Sequence, residues 1–406
     1  MKISRLFLIR IFAVISLSGF GQSFNHQIDS VTNKFVDRGD IAGAVIQITH
    51  RGQVIHSGSY GYAQIFNSPG IRMTPPEKMT EMHHFDIASL TKVVGTTTGV
   101  MLLYEKGLIG IDDPVSKYIP EFKGAEKNKV TIRNLLQHTA GLYEWYPMYY
   151  KAKNRKEVYE LINNLPLPYA VGEKRRYSDL GFTLLGQLIE RVGRMPLEDF
   201  LQKNVFGPLG MKDTFFLPPG SNIPLLVAAT SIGNPYERRM VHDPALGFQF
   251  SEIDPDSWNS WRTSVLAGQV NDGNAWYAGR GISGAAGIFS TAGDLRKFLD
   301  MLISGGYGPD GKFLSSKILD EFLKKDRFLN GLGWVMDPES SFMRGAPEGT
   351  FGHTGFTGTS LVVIPSSQLA LIILTNRQQT GLKDGLTYSN INPLRQAIFE
   401  LCLKLK

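Results

Sequence analysis

The chain has 406 residues, of which 42% are hydrophobic, 20% charged and 11% aromatic, with 43 Gly and 21 Pro. That mix excludes a disordered, collagen-like or coiled-coil protein, and the length allows two or three packed units or one large domain with an inserted part. The formal charge is +6, but residues 1–21 hold Lys2, Arg5 and Arg10 and no acid, leaving 40 basic against 37 acidic residues. So small and dispersed an excess leaves no electrostatic footprint for nucleic acid. A lone cysteine, Cys402, excludes an intrachain disulfide and any cysteine-built zinc or iron–sulfur site.

Residues 1–21 begin with Lys2 and Arg5, continue through an apolar run strongest at Ile11–Leu17, and end on Ser18, Gly19 and Gly21. This is the three-part pattern of a secretory signal peptide cleaved after Gly21. Export without disulfides points to a periplasmic or secreted bacterial protein. No later apolar run reaches eighteen residues, so no transmembrane segment is expected after cleavage.

Residues 22–406 read as one domain. Ile28, Val31, Phe35 and Val36 recur at helical spacing, and two strand-like runs, Ala42–Thr49 and Val54–Tyr60, flank a hairpin turn at Arg51-Gly52-Gln53. Ser89–Lys106 is helical in pattern. Roughly 112–280 is a mostly helical insertion with short helical patterns at Val130–Gln137, Glu157–Asn163, Phe182–Val192 and Leu197–Val205. Within it, 230–280 is rich in Asn, Asp, Pro and Trp and reads as a long surface excursion. Thr291 and Asp294 open a further helix to Ile303. Strand-like runs follow at Gly331–Met336, Ser360–Ile364 and Leu369–Thr375, then an amphipathic helix over about 393–405. These elements predict an α+β fold, with an antiparallel sheet built from both chain ends, flanked by helices.

Three short segments carry possible chemistry. In Ser89-Leu90-Thr91-Lys92, helical spacing brings the Lys92 amine to the Ser89 hydroxyl, and a serine needs such a neighbouring base to become a nucleophile. An amine in apolar surroundings can be neutral enough to serve. In Tyr177-Ser178-Asp179, the phenol can relay a proton, while Asp179 suits a lysine or a substrate amide, and Ser178 or Asp179 equally suits a helix N-cap. In Gly352-His353-Thr354-Gly355-Phe356, small residues before a strand let backbone N–H groups approach a ligand oxygen. Each segment alone has an ordinary structural explanation.

Their order, with gaps of 88 and 176 residues, resembles the serine β-lactamase and penicillin-binding-protein family, closest to its class C β-lactamase, D-aminopeptidase and esterase branch. Leu135–Leu142, Ala286–Leu295 and Gly331–Trp334 are similar to further landmarks of that family. The resemblance implies the β-lactamase-like (DD-peptidase) fold and an acyl-enzyme on Ser89, with Lys92 and Tyr177 moving protons. It also implies an oxyanion hole from the backbone N–H groups of Ser89 and Phe356, with Asp179, His353, Thr354 and Gly355 at the substrate. Neither a metal nor an organic cofactor is implied. The expected partner is a small-molecule or peptide substrate, and the oligomeric state is left open.

Two departures bear on the substrate. Many relatives carry lysine where this chain has His353, and asparagine where it has Asp179. Histidine, with an ordinary pKa of about 6.5, is mostly neutral where lysine would attract a carboxylate. Both changes favour D-residue peptides, peptidoglycan fragments or esters over rapid β-lactam hydrolysis. A true β-lactamase and a slow penicillin-binding sensor are the alternatives. Ala285 replaces a histidine frequent in similar proteins. Tyr143, Trp145, Tyr146, Tyr149 and Tyr150 suit either a pocket wall or a packed loop. His83-His84 with Asp86 lacks metallohydrolase spacing and reads as a polar loop.

Overall fold

The computed structural model describes residues 23–221 and 226–405; the signal-peptide pattern of residues 1–21 lies outside them. Strands β1 (Gly43–His50), β2 (Gln53–Ser68) and β3 (Ile71–Lys78) come from the first part of the chain. Short strands β4 (Phe85–Asp86), β5 (Phe215–Phe216) and β6 (Ile288–Ser290) form a second sheet, and β7 (Tyr307–Gly308) pairs with β8 (Gly311–Lys312). The last three are β9 (Phe351–Thr354), β10 (Ser360–Ile364) and β11 (Leu369–Thr375). The main sheet runs β3-β2-β1-β11-β10-β9, antiparallel throughout, with β1 of the early chain paired to β11 of the late chain.

Side-chain parity decides which layer each strand residue joins. Ala44, Ile46, Ile48, Leu369, Leu371 and Ile373 pack on one face, against the terminal helices 23–37 and Asn392–Cys402. Val45, Leu361, Val363, Ala370, Ile372 and Leu374 face the opposite core, which the helical region fills. A one-residue slip would exchange the two sets, so burial on both faces pins the register. Cys402 lies inside the terminal-helix layer, where burial pushes its thiol up to about 12. Dithionitrobenzoate is therefore expected to leave the native protein unlabelled and to titrate one thiol after denaturation; labelling of native protein would place Cys402 elsewhere.

The hairpin turn holds at Arg51-Gly52, both with positive φ, between His50 and Gln53. β10 and β11 occupy the expected residues, and the Thr291 hydroxyl caps its helix by accepting from the Asp294 N–H. Three expectations need correction. β2 continues to Ser68 and pairs with β3, whose Pro75 and Pro76 disguise a strand; proline is tolerated there because β3 is the sheet edge. Residues 331–336 form no strand and make only isolated bridges, Val335 pairing with Gly352. The 230–280 stretch is a surface excursion only in its middle: residues 242–269 are mostly exposed or half-buried, while its two ends enter the fold. It contributes the helix Pro235–His242, buries Val241, Val270 and Ala275, and walls the cleft described next.

Candidate active site

Strand β4 delivers the chain to Ser89. After Ile87 the backbone enters a 3₁₀ turn, Ala88–Leu90, then a π-helical turn, Lys92–Thr97, and finally the helix Thr98–Glu105. Ala88 has φ +47°, a left-handed conformation costly for a residue with a Cβ. Buried Asp86 holds it there: one carboxylate oxygen accepts from the Ala88 N–H (2.9 Å) and the other from the Asn271 N–H (2.6 Å). Burial outweighs these two donors and raises the Asp86 pKa to about 6. From the other side, Thr357 and Thr359 donate their hydroxyls to the carbonyls of Asp86 and Ile87. The serine turn is thereby fastened to the loop that follows β9.

Lys92 is fully buried, with Nζ donating to Ser89 Oγ at 3.0 Å and to the Ala285 carbonyl at 2.9 Å. Its third partner is Asp179, 2.7 Å away. Burial alone would push the amine toward neutrality, but Asp179 and Tyr177 together oppose it, and the net shift is upward. The pair therefore holds Lys92 toward its ammonium form, so apolar surroundings alone do not make it a neutral base. Apolar surroundings argue for neutrality only when no carboxylate shares them.

Tyr177 stands beside this pair, its ring 5.0 Å from Lys92 Nζ, and its phenol interacts with both Ser89 and Lys92. Burial raises its pKa despite the nearby ammonium, so the phenol is neutral. Asp179 opens the helix Asp179–Gly193, which Ser178 caps by accepting from the Gly181 N–H at 3.2 Å. The motif thus supplies both a helix cap and an ion-pair partner.

Ser89, Tyr177, Asp179 and Phe356 line one cleft of about 370 Å³, with Lys92 directly behind Ser89. His353, Thr354 and Gly355 are not among its lining residues. His353 is buried behind Tyr177, their rings 6.0 Å apart, and its Nδ1 lies 2.9 Å from the Thr354 carbonyl oxygen. Burial, then Lys92, lowers its pKa to about 3, so it is neutral across the working range. Among the described residues, the N–H groups of Ser89 and Phe356 have no hydrogen-bond partner. Two free amides flanking a nucleophile are what an oxyanion needs.

Gly355 packs closely against the serine turn: a Cβ there would collide with Thr359 Oγ1 and the Ile87 carbonyl, and touch Ala88. Gly355→Ala is therefore expected to cost about 2 kcal/mol of stability and to depress turnover more than affinity. A denaturant melt and steady-state kinetics check this, and unchanged kcat would separate Gly355 from the alignment of Ser89.

Comparison with known proteins now bears on the site. The Beta-lactamase family model matches residues 28–392. The chain belongs to the beta-lactamase family. A Salmonella typhimurium (strain LT2) relative named "Putative D-alanyl-D-alanine carboxypeptidase" is 30% identical over 397 residues, covering 92% of this chain and 87% of its own. EstCE1, a hydrolase with promiscuous acyltransferase activity, superposes with TM-score 0.68 at 21% identity over 93% of this chain and 99% of its own. A β-lactamase/D-alanine carboxypeptidase from Pseudomonas syringae gives TM-score 0.67 at 17% identity over 95% and 99%. The protein is a serine hydrolase with the β-lactamase-like fold of these neighbours.

Three features of this beta-lactamase-family site were not singled out from sequence. His138, buried, accepts the Ser178 N–H on Nδ1 (2.9 Å), while its own carbonyl accepts from the Arg176 N–H, so it fixes the segment carrying Tyr177. Burial, then Arg175, lowers its pKa well below the ordinary value, keeping it a neutral acceptor. Asp272 and Glu237 enter the cleft from the 230–280 stretch. The landmark around His138 and the run Val270–Trp276 around Asp272, which resembles a subgroup of penicillin-binding-protein-like hydrolases, carried a signal, whereas Glu237 carried none.

The aromatic cluster divides. Trp145 lines the cleft, whereas Tyr143 and Tyr146 pack on Phe250, and Tyr149 and Tyr150 on Trp258. His83, His84 and Asp86 do not converge. His83 contacts Thr80 and Glu77, His84 lies against the Leu226 carbonyl and Asp213, and Asp86 holds the serine turn. Among the described residues no group of His, Cys, Asp and Glu forms a metal site, and no helix is long and apolar enough to cross a membrane.

Proposed function

We propose that the protein is an exported hydrolase that transfers the acyl group of small D-residue peptides, peptidoglycan fragments or esters to Ser89 and then to water. The observation that carries this reading is the Ser89–Lys92–Asp179 chain of contacts, 3.0 and 2.7 Å, at the base of a cleft walled by Tyr177 and Phe356. The relative named a putative D-alanyl-D-alanine carboxypeptidase and the neighbour named a hydrolase with promiscuous acyltransferase activity support acyl transfer. The basic, apolar and small-residue pattern of residues 1–21 supports export.

The resting charges define the proton path. A substrate carbonyl sits against Ser89, its oxygen facing the Ser89 and Phe356 amides. As Ser89 Oγ bonds to the carbonyl carbon, its proton passes to Lys92 while Lys92 releases one to Asp179, so the ammonium is conserved and Asp179 becomes the acid. Tyr177 gives its phenolic proton to the departing amine or alcohol as the acyl–leaving-group bond breaks. Asp179 then restores that proton through Lys92. Deacylation runs the same path with water as nucleophile and Ser89 as leaving group.

Position 353 holds a buried, neutral histidine behind the cleft and not a lysine, so it gives a substrate carboxylate no cation. Penicillins are therefore expected to acylate slowly. A panel of a short-chain 4-nitrophenyl ester, a D-alanyl 4-nitroanilide and a penicillin tests the reading. Turnover of ester or D-peptide with only slow penicillin consumption supports it, whereas rapid ring opening with free enzyme recovered would make the protein a β-lactamase.

A further inference from the structure

Of the two amides beside the nucleophile, the Phe356 N–H is the one with few fastenings. Thr357 and Thr359 tie the loop after β9 to the serine turn. Within that loop the Gly355 carbonyl accepts from the Gly358 N–H at 3.0 Å, so Phe356 and Thr357 are the corners of a four-residue turn. The Phe356 ring is 43% exposed, and its N–H is left free for the cleft. Hydrogen bonding can therefore fix its main chain only through the carbonyl. Among the described residues that carbonyl has one partner, Arg377, whose Nε and Nη2 both donate to it, at 3.1 and 2.8 Å.

Arg377 is itself held firmly. It opens the 3₁₀ turn Arg377–Thr380, directly after the interior strand β11. The neighbouring Asn376 side chain accepts from the Gly43 N–H at 2.7 Å and donates to the Tyr62 and Ala63 carbonyls at 3.1 and 2.9 Å, which bolts the turn onto β1 and β2. Arg377 Nη1 donates to the Ser389 carbonyl at 3.0 Å, and the guanidinium lies 5.4 Å from the centroid of the Phe356 ring. No carboxylate pairs with this half-buried cation among the described residues, so its donors are directed at carbonyls. A line of contacts thus runs from the main sheet through Asn376 and Arg377 to Phe356.

The N–H and the carbonyl of Phe356 belong to adjoining planar peptides that meet at its Cα, so fastening the carbonyl limits where the N–H can point. Oxyanion stabilisation depends on donors placed before the reaction begins, and a misplacement of about 1 Å can cost on the order of 10²-fold in rate. Two donors of one planar fork on a single oxygen set direction as well as distance, which an ammonium cannot do.

We propose that Arg377 is a positioning residue that sets the Phe356 N–H against the developing oxyanion. It acts through the Phe356 carbonyl and is not among the residues lining the cleft. The inference rests on Ser89 as the nucleophile and adds the group that aligns its second oxyanion donor.

Arg377→Met and Arg377→Lys, checked for folding by circular dichroism and denaturant melts, test this beside the wild type in two measurements. The first is stopped-flow acylation by a 4-nitrophenyl ester, in which Ser89 Oγ bonds to the acyl carbon, its proton passes to the Lys92–Asp179 pair and 4-nitrophenolate leaves. The second is calorimetric binding of phenylboronic acid, in which the Ser89 oxygen adds to trigonal boron, its proton passes to the same pair and a tetrahedral boronate forms against the two amides. Arg377→Met is expected to slow acylation at saturating ester by about 10²-fold and to weaken the boronate by a similar factor, while the half-saturating ester concentration changes less than about threefold. Arg377→Lys keeps the charge without the fork and should lose about tenfold in both. A folded Arg377→Met that acylates at the wild-type rate, or is slowed only through a raised half-saturating concentration, would overturn the assignment and leave the nucleophile standing. Slowed acylation with unchanged boronate affinity would do the same. If Arg377→Met does not fold, Arg377→Lys decides alone, and a wild-type rate from it overturns the assignment. Acylation or boronate binding that survives Ser89→Ala would overturn the Ser89 reading and this one with it.

Discussion

Ser89→Ala is expected to lower kcat by on the order of 10⁴-fold or more while leaving the fold intact, because no other group in the cleft can replace its oxygen. The stability change should stay within about 1 kcal/mol. The side chain is only part-buried, and the substitution removes one hydrogen bond from Lys92, which keeps the Ala285 carbonyl and Asp179 as partners. A denaturant melt run beside the kinetics separates the two effects. A large loss of stability would show that Ser89 is structural, and retained turnover would remove it from the chemistry.

The second large effect is expected at Asp179. Replacing it with alanine leaves the Lys92 ammonium buried without its counter-charge, which should cost about 3 kcal/mol. The pH dependence changes sign as well. In the wild type the folded Lys92 pKa lies above its unfolded value, so its contribution is fully present below that unfolded value and disappears only in strongly alkaline solution. The pair therefore adds no slope between pH 6 and 9, the range of an ordinary assay. In Asp179→Ala, burial loses its main opponent and the folded pKa is expected to fall below the unfolded one. The unfolded chain then binds the extra proton, and stability should decline on acidification by up to about 1.4 kcal/mol per pH unit. Urea melts at several pH values measure this, and a flat profile in the variant would show that Asp179 does not hold the charge on Lys92.

The Lys92–Asp179 contact also marks where sequence reading stops. Ser89 and Lys92 are three residues apart, and the periodicity of a helical turn is enough to bring them together. Asp179 reaches the same amine from a separate helix, and no local pattern says whether it will pair with a lysine, cap its helix or face a substrate. The charge state of Lys92 depends on that distant choice, and the shift toward the ammonium follows from Asp179 and not from the apolar surroundings that the local sequence shows.

The same distinction holds for the fold. β1, β10 and β11 are short apolar runs bounded by turn residues, and all three were readable. β3 was hidden by Pro75 and Pro76, which an edge strand tolerates and a central strand does not. Residues 331–336 are apolar because they pack, Trp334 against Phe298 and Phe351, and their backbone contributes bridges rather than a ladder. The polar, proline-rich composition of 230–280 suggested solvent, and its middle does lie at the surface, but polar side chains at its two ends are spent inside. Asn234 bonds to Arg262, Tyr277 and the Asn271 carbonyl, and Asn274 bonds to the backbone of Tyr146 and Met148. Polarity satisfied internally reads the same in sequence as polarity facing water.

The acyl-enzyme itself is the most direct test. The protein would be mixed with a 4-nitrophenyl ester, quenched in acid within milliseconds to seconds, and examined by intact-mass and peptide mass spectrometry, with Ser89→Ala run in parallel. The account predicts an adduct of one acyl group on the peptide containing Ser89, formed at least as fast as turnover and absent from the variant. An adduct on another residue, or undiminished hydrolysis by Ser89→Ala, would contradict it.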